Sequence, residues 1–139
     1  MECGMSERQT LGAISPFFIV SDVPLAVRFY EQRLGFETRF LGPDERPFFA
    51  IVGRDSVQIH LKTVSDSVHA TPNHTRHEWA PWDAFVFVED PDSLAKEFGS
   101  RGVELHVEIV DRDDGLRGFE VCDNDGYVLF FGCPTEISA

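Results

Sequence analysis

Hydrophobic and polar residues alternate strictly along the segment 57–62, which reads VQIHLK. Strict alternation is typical of a β-strand with one buried face, because successive side chains of a strand point to opposite sides of the sheet. The apolar residues of this segment are therefore predicted to face the core. The polar ones share the opposite face, and they are Gln58, His60 and Lys62.

The same order of elements occurs twice along the chain. FIVSDVP at 18–24 and VFVEDP at 86–91 each join an apolar strand to an aspartate and a proline, and helical periodicity that ends at a glycine follows each. Asp22 and Asp90 are suited to cap the two helices, because an aspartate side chain accepts hydrogen bonds from the free N–H groups of the first turn. Repetition at an offset of about 67 to 70 residues indicates two copies of one βαβββ unit.

Three strand candidates follow each helix and are separated by polar turns rich in glycine and aspartate. They are Phe36–Leu41, Phe48–Val52 and Val57–Lys62 in the first copy and Glu104–Val110, Gly118–Cys122 and Tyr127–Gly132 in the second. The prediction is an α+β protein of two βαβββ modules. Its expected divisions are a flexible tail at 1–12, a first module at 13–66, a linker or lid at 67–80, a second module at 81–134 and a C-terminal tail at 135–139.

The net charge of −12 changes the range of plausible partners. An acidic surface repels phosphate groups, so we expect no nucleic-acid partner and no membrane-surface binding. The N-terminus lacks the basic and apolar regions of a secretion signal. Cys3, Cys122 and Cys133 form no disulfide framework, and we therefore expect a cytoplasmic protein with reduced thiols.

Two motifs carry a resemblance to a known family. VSDVPLAVRFYEQRLGFE at 20–37 and VCDNDGYVLFFG at 121–132 resemble the opening and closing motifs of the vicinal oxygen chelate superfamily. Its members include glyoxalase I, bleomycin-resistance proteins, fosfomycin-resistance enzymes and extradiol dioxygenases. The resemblance covers about residues 13–134 and implies that each module curls its mixed sheet into half of a cup. Two modules, from one chain or swapped between the chains of a homodimer, would then close a cavity.

The resemblance also implies four positions from which metal-dependent members draw their ligands. They are occupied here by Ser15, His60, Asp83 and Phe130. Only His60 and Asp83 are good ligands for a divalent ion, whereas metal-dependent members have at least three. We therefore expect no cofactor, and a divalent metal held by His60 and Asp83 is the disfavoured alternative.

Alternation from these four positions predicts which side chains face the cup. Trp82, which lies beside the predicted lid, is added to these ligand-binding residues. The predicted ligand-binding residues are Ser15, Phe17, Gln58, His60, Lys62, Trp82, Asp83, Phe85, Phe87 and Phe130. An exposed aromatic surface of this size is unfavourable, so we expect something to cover it. Aromatic walls with a few polar groups suit a small-molecule site. In an alternative interpretation the rings fill the space as core, with His60 and Asp83 bonded to each other.

The lid region leaves further interpretations open. Trp79 and Trp82 are placed either to cap a planar ligand by stacking or to pack at a dimer interface. His69, His74 and His77 match no standard metal-site spacing, and a solvated loop is the favoured interpretation.

These patterns favour a metal-independent small-molecule binding protein that resembles the bleomycin-resistance branch. It would hold an aromatic or cationic ligand between phenylalanine walls, with Asp83 facing a positive group. The alternative is a lyase, isomerase or dioxygenase of the glyoxalase type, in which His60 and Asp83 are the catalytic acid–base pair or metal ligands. A dimeric scaffold that binds no ligand is a third hypothesis, and the absence of a cavity would distinguish it.

Overall fold

The computed structural model describes residues 8–135 of the chain. Two parts of the predicted tails lie outside the described residues: residues 1–7, which include Cys3, and residues 136–139. Within the described range the α-helices are α1 (Val23–Leu34) and α2 (Pro91–Ser100), and a short 3-10 helix spans Asn73–Thr75. The strands are β1 (Phe17–Ile19), β2 (Glu37–Gly42), β3 (Phe49–Arg54), β4 (Val57–Lys62), β5 (Ala84–Phe87), β6 (Val107–Asp111), β7 (Leu116–Cys122) and β8 (Val128–Pro134).

The strands form two separate four-stranded sheets, with the orders β1-β4-β3-β2 and β5-β8-β7-β6. β1 runs parallel to β4 and β5 runs parallel to β8, whereas the other neighbours are antiparallel. Each sheet has one helix between its first two strands, and we call β1–β4 with α1 module 1 and β5–β8 with α2 module 2. The predicted α+β fold of two βαβββ modules is confirmed. Neither of these two helices has the length and apolar character needed to cross a bilayer.

Both helices begin at the aspartates that the sequence predicts. The Asp22 carboxylate accepts a hydrogen bond from the Leu25 backbone N–H at 3.0 Å, and the Asp90 carboxylate accepts one from Ser93 at 3.2 Å. A proline lies in the first turn of each helix, where a missing N–H costs little. Gly35 ends α1 in the left-handed conformation with φ of 73°.

β4 has its predicted range, whereas β2, β3, β6, β7 and β8 differ from their predicted ranges by one to three residues at their ends. β6 begins at Val107 rather than Glu104, and the register of its ladder with β7 shifts between Val107 and Val110. β8 continues past Gly132 to Pro134, which pairs with Leu116 of β7. Pro134 lies beyond Gly132, the last residue of β8 that pairs with β5, so β8 has only β7 as a neighbour at this end.

The helix-bearing faces of both sheets share one hydrophobic core. Phe18 of module 1 stacks on Tyr127 of module 2 with ring centroids 4.2 Å apart. The buried Tyr30 hydroxyl of α1 donates a hydrogen bond to Asp123 Oδ2 at 2.6 Å. The two modules therefore pack back to back, through the faces that carry their helices.

The other face of each sheet, which we call the outer face, points away from this core. Phe17 on the module-1 outer face is 56% exposed, and Phe85 and Phe87 on the module-2 outer face are 45% and 61% exposed. Because the helix-bearing faces are buried together, the outer faces of one chain border only an open groove between the modules. Three of the aromatic side chains that the sequence assigns to a cup, Phe17, Phe85 and Phe87, are thus open to solvent on a single chain, whereas Phe130 is buried.

Asp123 is a buried acid at the junction of the two modules. Its Oδ1 accepts hydrogen bonds from the N–H groups of Asp125 and Tyr127, both at 2.9 Å, and its Oδ2 accepts one from Tyr30. Burial raises the pKa of Asp123 to about 6, although these hydrogen bonds oppose the shift. The folded state therefore retains a proton at a pH at which the unfolded chain has released it. The stabilisation from this group is complete below the unfolded pKa of about 4 and is lost as the pH rises through about 6.

We expect Asp123→Asn to remove this pH dependence. Between about pH 4 and 7 the free energy of unfolding of the wild-type protein should fall by about 3 kcal/mol more than that of the variant, as the pKa difference requires. Urea unfolding at several pH values measures this difference. Asp113→Asn, at an exposed position, is the control and should keep the wild-type slope. Parallel curves for the wild type and Asp123→Asn would contradict the assignment.

Candidate functional site

The module-1 outer face carries a cluster of rings. The His60 ring lies 5.8 Å from the Phe17 ring and 5.7 Å from the Phe49 ring, measured between centroids. Phe40 extends the cluster, with its centroid 5.8 Å from that of Phe49. A depression of about 550 Å³ lies over this face and is lined by Phe17, Phe40, Gly42, Pro43, Phe48, Phe49 and Lys62. Its lining is apolar apart from the lysine.

Basic side chains flank this ring cluster at both ends. The Lys62 ammonium nitrogen lies 5.9 Å from the centroid of the Phe48 ring. At the other end Arg39 donates a hydrogen bond to Gln58 Oε1 at 3.4 Å and another to the Asp55 carbonyl at 3.0 Å. The Gln58 side-chain oxygen is therefore held by Arg39, and the Gln58 amide N–H group takes no part in this contact.

The module-2 outer face carries a different arrangement. The Trp82 and Phe130 rings stack with centroids 4.2 Å apart, and Phe85 lies 5.3 Å from Phe130. The guanidinium carbon of Arg112 lies 4.8 Å from the centroid of Trp82 and 5.7 Å from that of Phe130. Distances below about 6 Å allow a cation–π interaction.

Phe130 forms the floor of this arrangement rather than an open wall. Its side chain is only 1% exposed. The ring lies against Gly118 and Gly132, where a Cβ atom would come within 2.5 Å of ring atoms. These two glycines leave the space that the ring fills, so Phe130 contacts a ligand only if Trp82 moves.

Glu120 is a site residue that the sequence patterns did not identify. It pairs directly with Phe130 in the β7–β8 ladder, so both side chains lie on the outer face. Its Oε2 accepts a hydrogen bond from Trp82 Nε1 at 2.8 Å, and the residue is 6% exposed. Strand alternation could have identified Glu120, because its neighbours Phe119 and Val121 face the core and Glu120 therefore lies on the opposite face.

Asp83 ties the linker between β4 and β5 to module 2. Its Oδ1 accepts the Asn73 N–H at 2.8 Å, and its Oδ2 accepts the Val128 N–H, also at 2.8 Å. The Asn73 side chain donates to the Trp82 carbonyl at 3.0 Å and reinforces this junction. Both carboxylate oxygens are thus engaged by the backbone. In the described part of the chain no hydrogen bond joins His60 to Asp83.

Five predicted site residues do come together in one groove. The groove lies between the modules, has a volume of about 490 Å³ and includes Ser15, Gln58, Asp83, Phe85 and Phe87. The remaining predicted residues lie on the module-1 outer face, where Phe17, His60 and Lys62 are found, or on the module-2 outer face, where Trp82 and Phe130 stack.

A sequence model described as the Glyoxalase/Bleomycin resistance protein/Dioxygenase superfamily matches residues 11–131. The chain belongs to this superfamily. The resemblance carried by the two motifs is thereby confirmed. No curated protein matches the chain.

Solved structures of superfamily members have the same fold. A bleomycin-binding protein from bleomycin-producing Streptomyces verticillus, complexed with copper(II)-bleomycin, is 28% identical, with 91% of this chain and 98% of that chain covered and a TM-score of 0.66. A glyoxalase-related enzyme from Clostridium phytofermentans is 17% identical, with 91% and 97% covered and a TM-score of 0.70. A superfamily member from Sphaerobacter thermophilus DSM 20745 is 25% identical, with 88% and 97% covered and a TM-score of 0.64.

The four positions at which metal-dependent members of the superfamily carry ligands do not fit a divalent metal here. Phe130 has no donor atom and is buried, and Asp83 has both oxygens committed to backbone N–H groups. Ser15 is a weak ligand, which leaves His60 with phenyl rings as its neighbours. Within residues 8–135 no three His, Cys, Asp or Glu side chains are grouped so that they could hold an ion.

The histidines of the linker have local contacts. His74 Nε2 lies 2.9 Å from the Gly126 carbonyl oxygen, and the His77 Nδ1 accepts the Trp79 N–H at 3.0 Å. Trp79 is 82% exposed and lies apart from the Trp82 stack. These contacts fold the linker onto itself and onto module 2.

Asp83→Asn is expected to loosen the linker, because an amide group accepts only one of the two backbone N–H groups and turns a donor towards the other. The free energy of unfolding should fall by about 1–3 kcal/mol, the cost of an unsatisfied buried group. Urea unfolding, together with the rate of tryptic cleavage after Arg76, measures this effect.

Asp66→Asn serves as the control for the loosened linker, because Asp66 is an exposed linker residue. It should leave both the stability and the cleavage rate unchanged. Wild-type stability and cleavage in Asp83→Asn would show that the carboxylate does not hold the linker.

Proposed function

We propose that the protein binds a small aromatic or cationic molecule between aromatic outer faces, without a metal. The exposure of Phe17, Phe85 and Phe87 on the two outer faces carries this proposal. Rings left in solvent on two faces of a small acidic protein are unfavourable unless another surface or a ligand covers them. The depression of about 550 Å³ over the module-1 outer face has a volume that suits a small molecule.

We further propose that a second copy of the chain covers the outer faces. The module-1 outer face of one chain would face the module-2 outer face of its partner, and the homodimer would hold two equivalent cavities. Two features support this arrangement. The two sheets of one chain are separate and bury their helix-bearing faces against each other, and the rings of both outer faces stay exposed on a single chain.

Two observations favour an aromatic or cationic ligand. The net charge of −12 attracts cations, and the rings of both outer faces offer stacking and cation–π contacts. The 28% identical relative from Streptomyces verticillus is a bleomycin-binding protein, and it supports ligand sequestration as the activity. The same acidity supports a protein without a nucleic-acid or membrane partner, and cysteines without a disulfide framework support a cytoplasmic one.

A glyoxalase-type lyase, isomerase or dioxygenase activity has less support. Such an activity would use His60 and Asp83 as an acid–base pair or as metal ligands. The His60 ring packs against Phe17 and Phe49, while Asp83 accepts two backbone N–H groups elsewhere. A general base needs a polar partner to orient it, and neither residue supplies one to the other.

Phe17→Ala and Phe85→Ala test the binding site. Each removes an exposed ring from one outer face, and each should weaken binding of 2-naphthamide and 2-naphthamidine by about fivefold or more, the value of one aromatic contact. Equilibrium dialysis measures the dissociation constants. Leu25→Ala removes an exposed apolar side chain from α1, on the helix-bearing side, and should bind as the wild type does. Failure of the wild-type protein to bind either probe would contradict the proposal.

Mixing the two variants tests the proposed dimer. If each cavity takes one outer face from each chain, a mixed dimer of Phe17→Ala and Phe85→Ala has one cavity with both substitutions and one with none. After subunit exchange about one quarter of all cavities should regain wild-type affinity. Analytical ultracentrifugation should show a mass twice that of the 15.7 kDa chain. A monomer, or a mixture without recovered sites, would contradict the dimer.

A further inference from the structure

Trp82, Phe130, Glu120 and Arg112 form a compact group on the module-2 outer face, which we call the Trp82 site. Trp82 is its centre, because it stacks on Phe130, donates its Nε1–H to Glu120 and lies beneath the guanidinium of Arg112. The group combines an aromatic platform, a nearly buried carboxylate and a planar cation. We propose that the Trp82 site receives the planar, positively charged end of the ligand, with Glu120 as its anionic anchor.

The position of Arg112 supports a planar cation as the occupant. Its guanidinium carbon lies 4.8 Å from the Trp82 centroid, within the range in which a cation is attracted to an aromatic ring. A guanidinium, an amidinium and a protonated heteroaromatic ring share this flat, delocalised positive charge. The Arg112 side chain thus occupies the place that an equivalent group of a ligand would take.

Arg112 has its ion-pair partner outside the Trp82 site. Its Nε lies 3.0 Å from Asp114 Oδ2, and its Nη2 is also 3.0 Å from that oxygen. Arg112 directly follows β6 in the chain, and its side chain is 32% exposed. The guanidinium is therefore paired within its own turn, and no hydrogen bond joins it to Glu120 in the described range.

Glu120 supplies the charge that a bound cation requires. It is one of two buried acidic residues within the described range, and the other, Asp123, lies at the junction of the modules. Trp82 Nε1 donates to Oε2, and no other donor among residues 8–135 reaches Oε1. A nearly buried carboxylate with one free oxygen gains most from a cationic partner, because a charge removed from water needs compensation.

Asp83 is less suited to this role than Glu120, although the sequence favours Asp83. Its two oxygens already accept the backbone N–H groups of Asn73 and Val128. The inference therefore moves the anionic anchor from the start of β5 to the middle of β7. It rests on the proposed function and adds to it the charge, the shape and the position of one end of the ligand.

A matched pair of probes tests the inference. 2-Naphthamidine carries a planar amidinium, and 2-naphthamide is its neutral counterpart with the same ring system. Equilibrium dialysis should give the wild-type protein a dissociation constant about tenfold lower for the amidine. In a Trp79→Phe background Trp82 is the sole tryptophan, and its indole N–H resonance should shift when the amidine binds.

Two substitutions separate the roles of Glu120 and Arg112. Glu120→Gln keeps an acceptor for Trp82 and removes the charge, so the preference for the amidine should fall to about twofold or less. Arg112→Met frees the aromatic platform, so amidine binding should become about fivefold tighter. The charge-matched control for Glu120→Gln is Glu104→Gln, at an exposed position. The control for Arg112→Met is Arg117→Met, which loses ion pairs to Asp92 and Asp111. Both should keep the wild-type preference.

The outcomes distinguish this inference from the proposed function. The cation inference is overturned if the wild type binds both probes equally, or if the preference for the amidine survives Glu120→Gln. Either result leaves the proposed aromatic binding intact. Weaker amidine binding in Arg112→Met also overturns the cation inference, because Arg112 would then support the ligand rather than occupy its place. Absence of binding by either probe overturns the proposed function together with the inference.

Discussion

The burial of two helix-bearing faces in one core determines what else this protein can present. Each module alone would expose the apolar face of its sheet and the apolar stripe of its helix, and each covers the other. Polar contacts in this junction are specific, since the Tyr30 hydroxyl bonds Asp123 and the Tyr127 hydroxyl donates to the Ile19 carbonyl at 2.6 Å. Because the junction uses the helix-bearing faces, both outer faces remain free for other surfaces.

The two outer faces differ in chemistry although their modules share a topology. Module 1 offers phenyl rings around His60, with basic side chains at its ends. Module 2 offers an indole stacked on a buried ring, with a carboxylate and a guanidinium at its edges. A pair of such faces suits a ligand with one apolar aromatic part and one charged part. This difference within a repeated fold is the basis of the proposed function.

The local elements were predictable because their causes are local. Asp22 and Asp90 cap helices through contacts within four residues, and strand alternation around His60 follows from the pleat of the chain. Individual site residues were less predictable. Alternation places Phe130 on the outer face, but the space left by Gly118 and Gly132 turns its ring into a floor. The Asp83 carboxylate could ligate a metal ion, yet backbone N–H groups of the linker and of β8 donate hydrogen bonds to both of its oxygens.

The sequence by itself determined the doubled βαβββ order, the helix ends, the core faces of the strands and the superfamily, because each depends on short-range pattern. Tertiary structure decided which sheet faces meet. A period of two separates the faces of a strand but does not say which of them packs against the other module. Only the packing of the modules shows that the Phe17 and Phe85 faces are open within one chain. Only the pairing of β5 and β7 with β8 brings Trp82, which precedes β5, to Glu120, since their contact joins residues 38 positions apart.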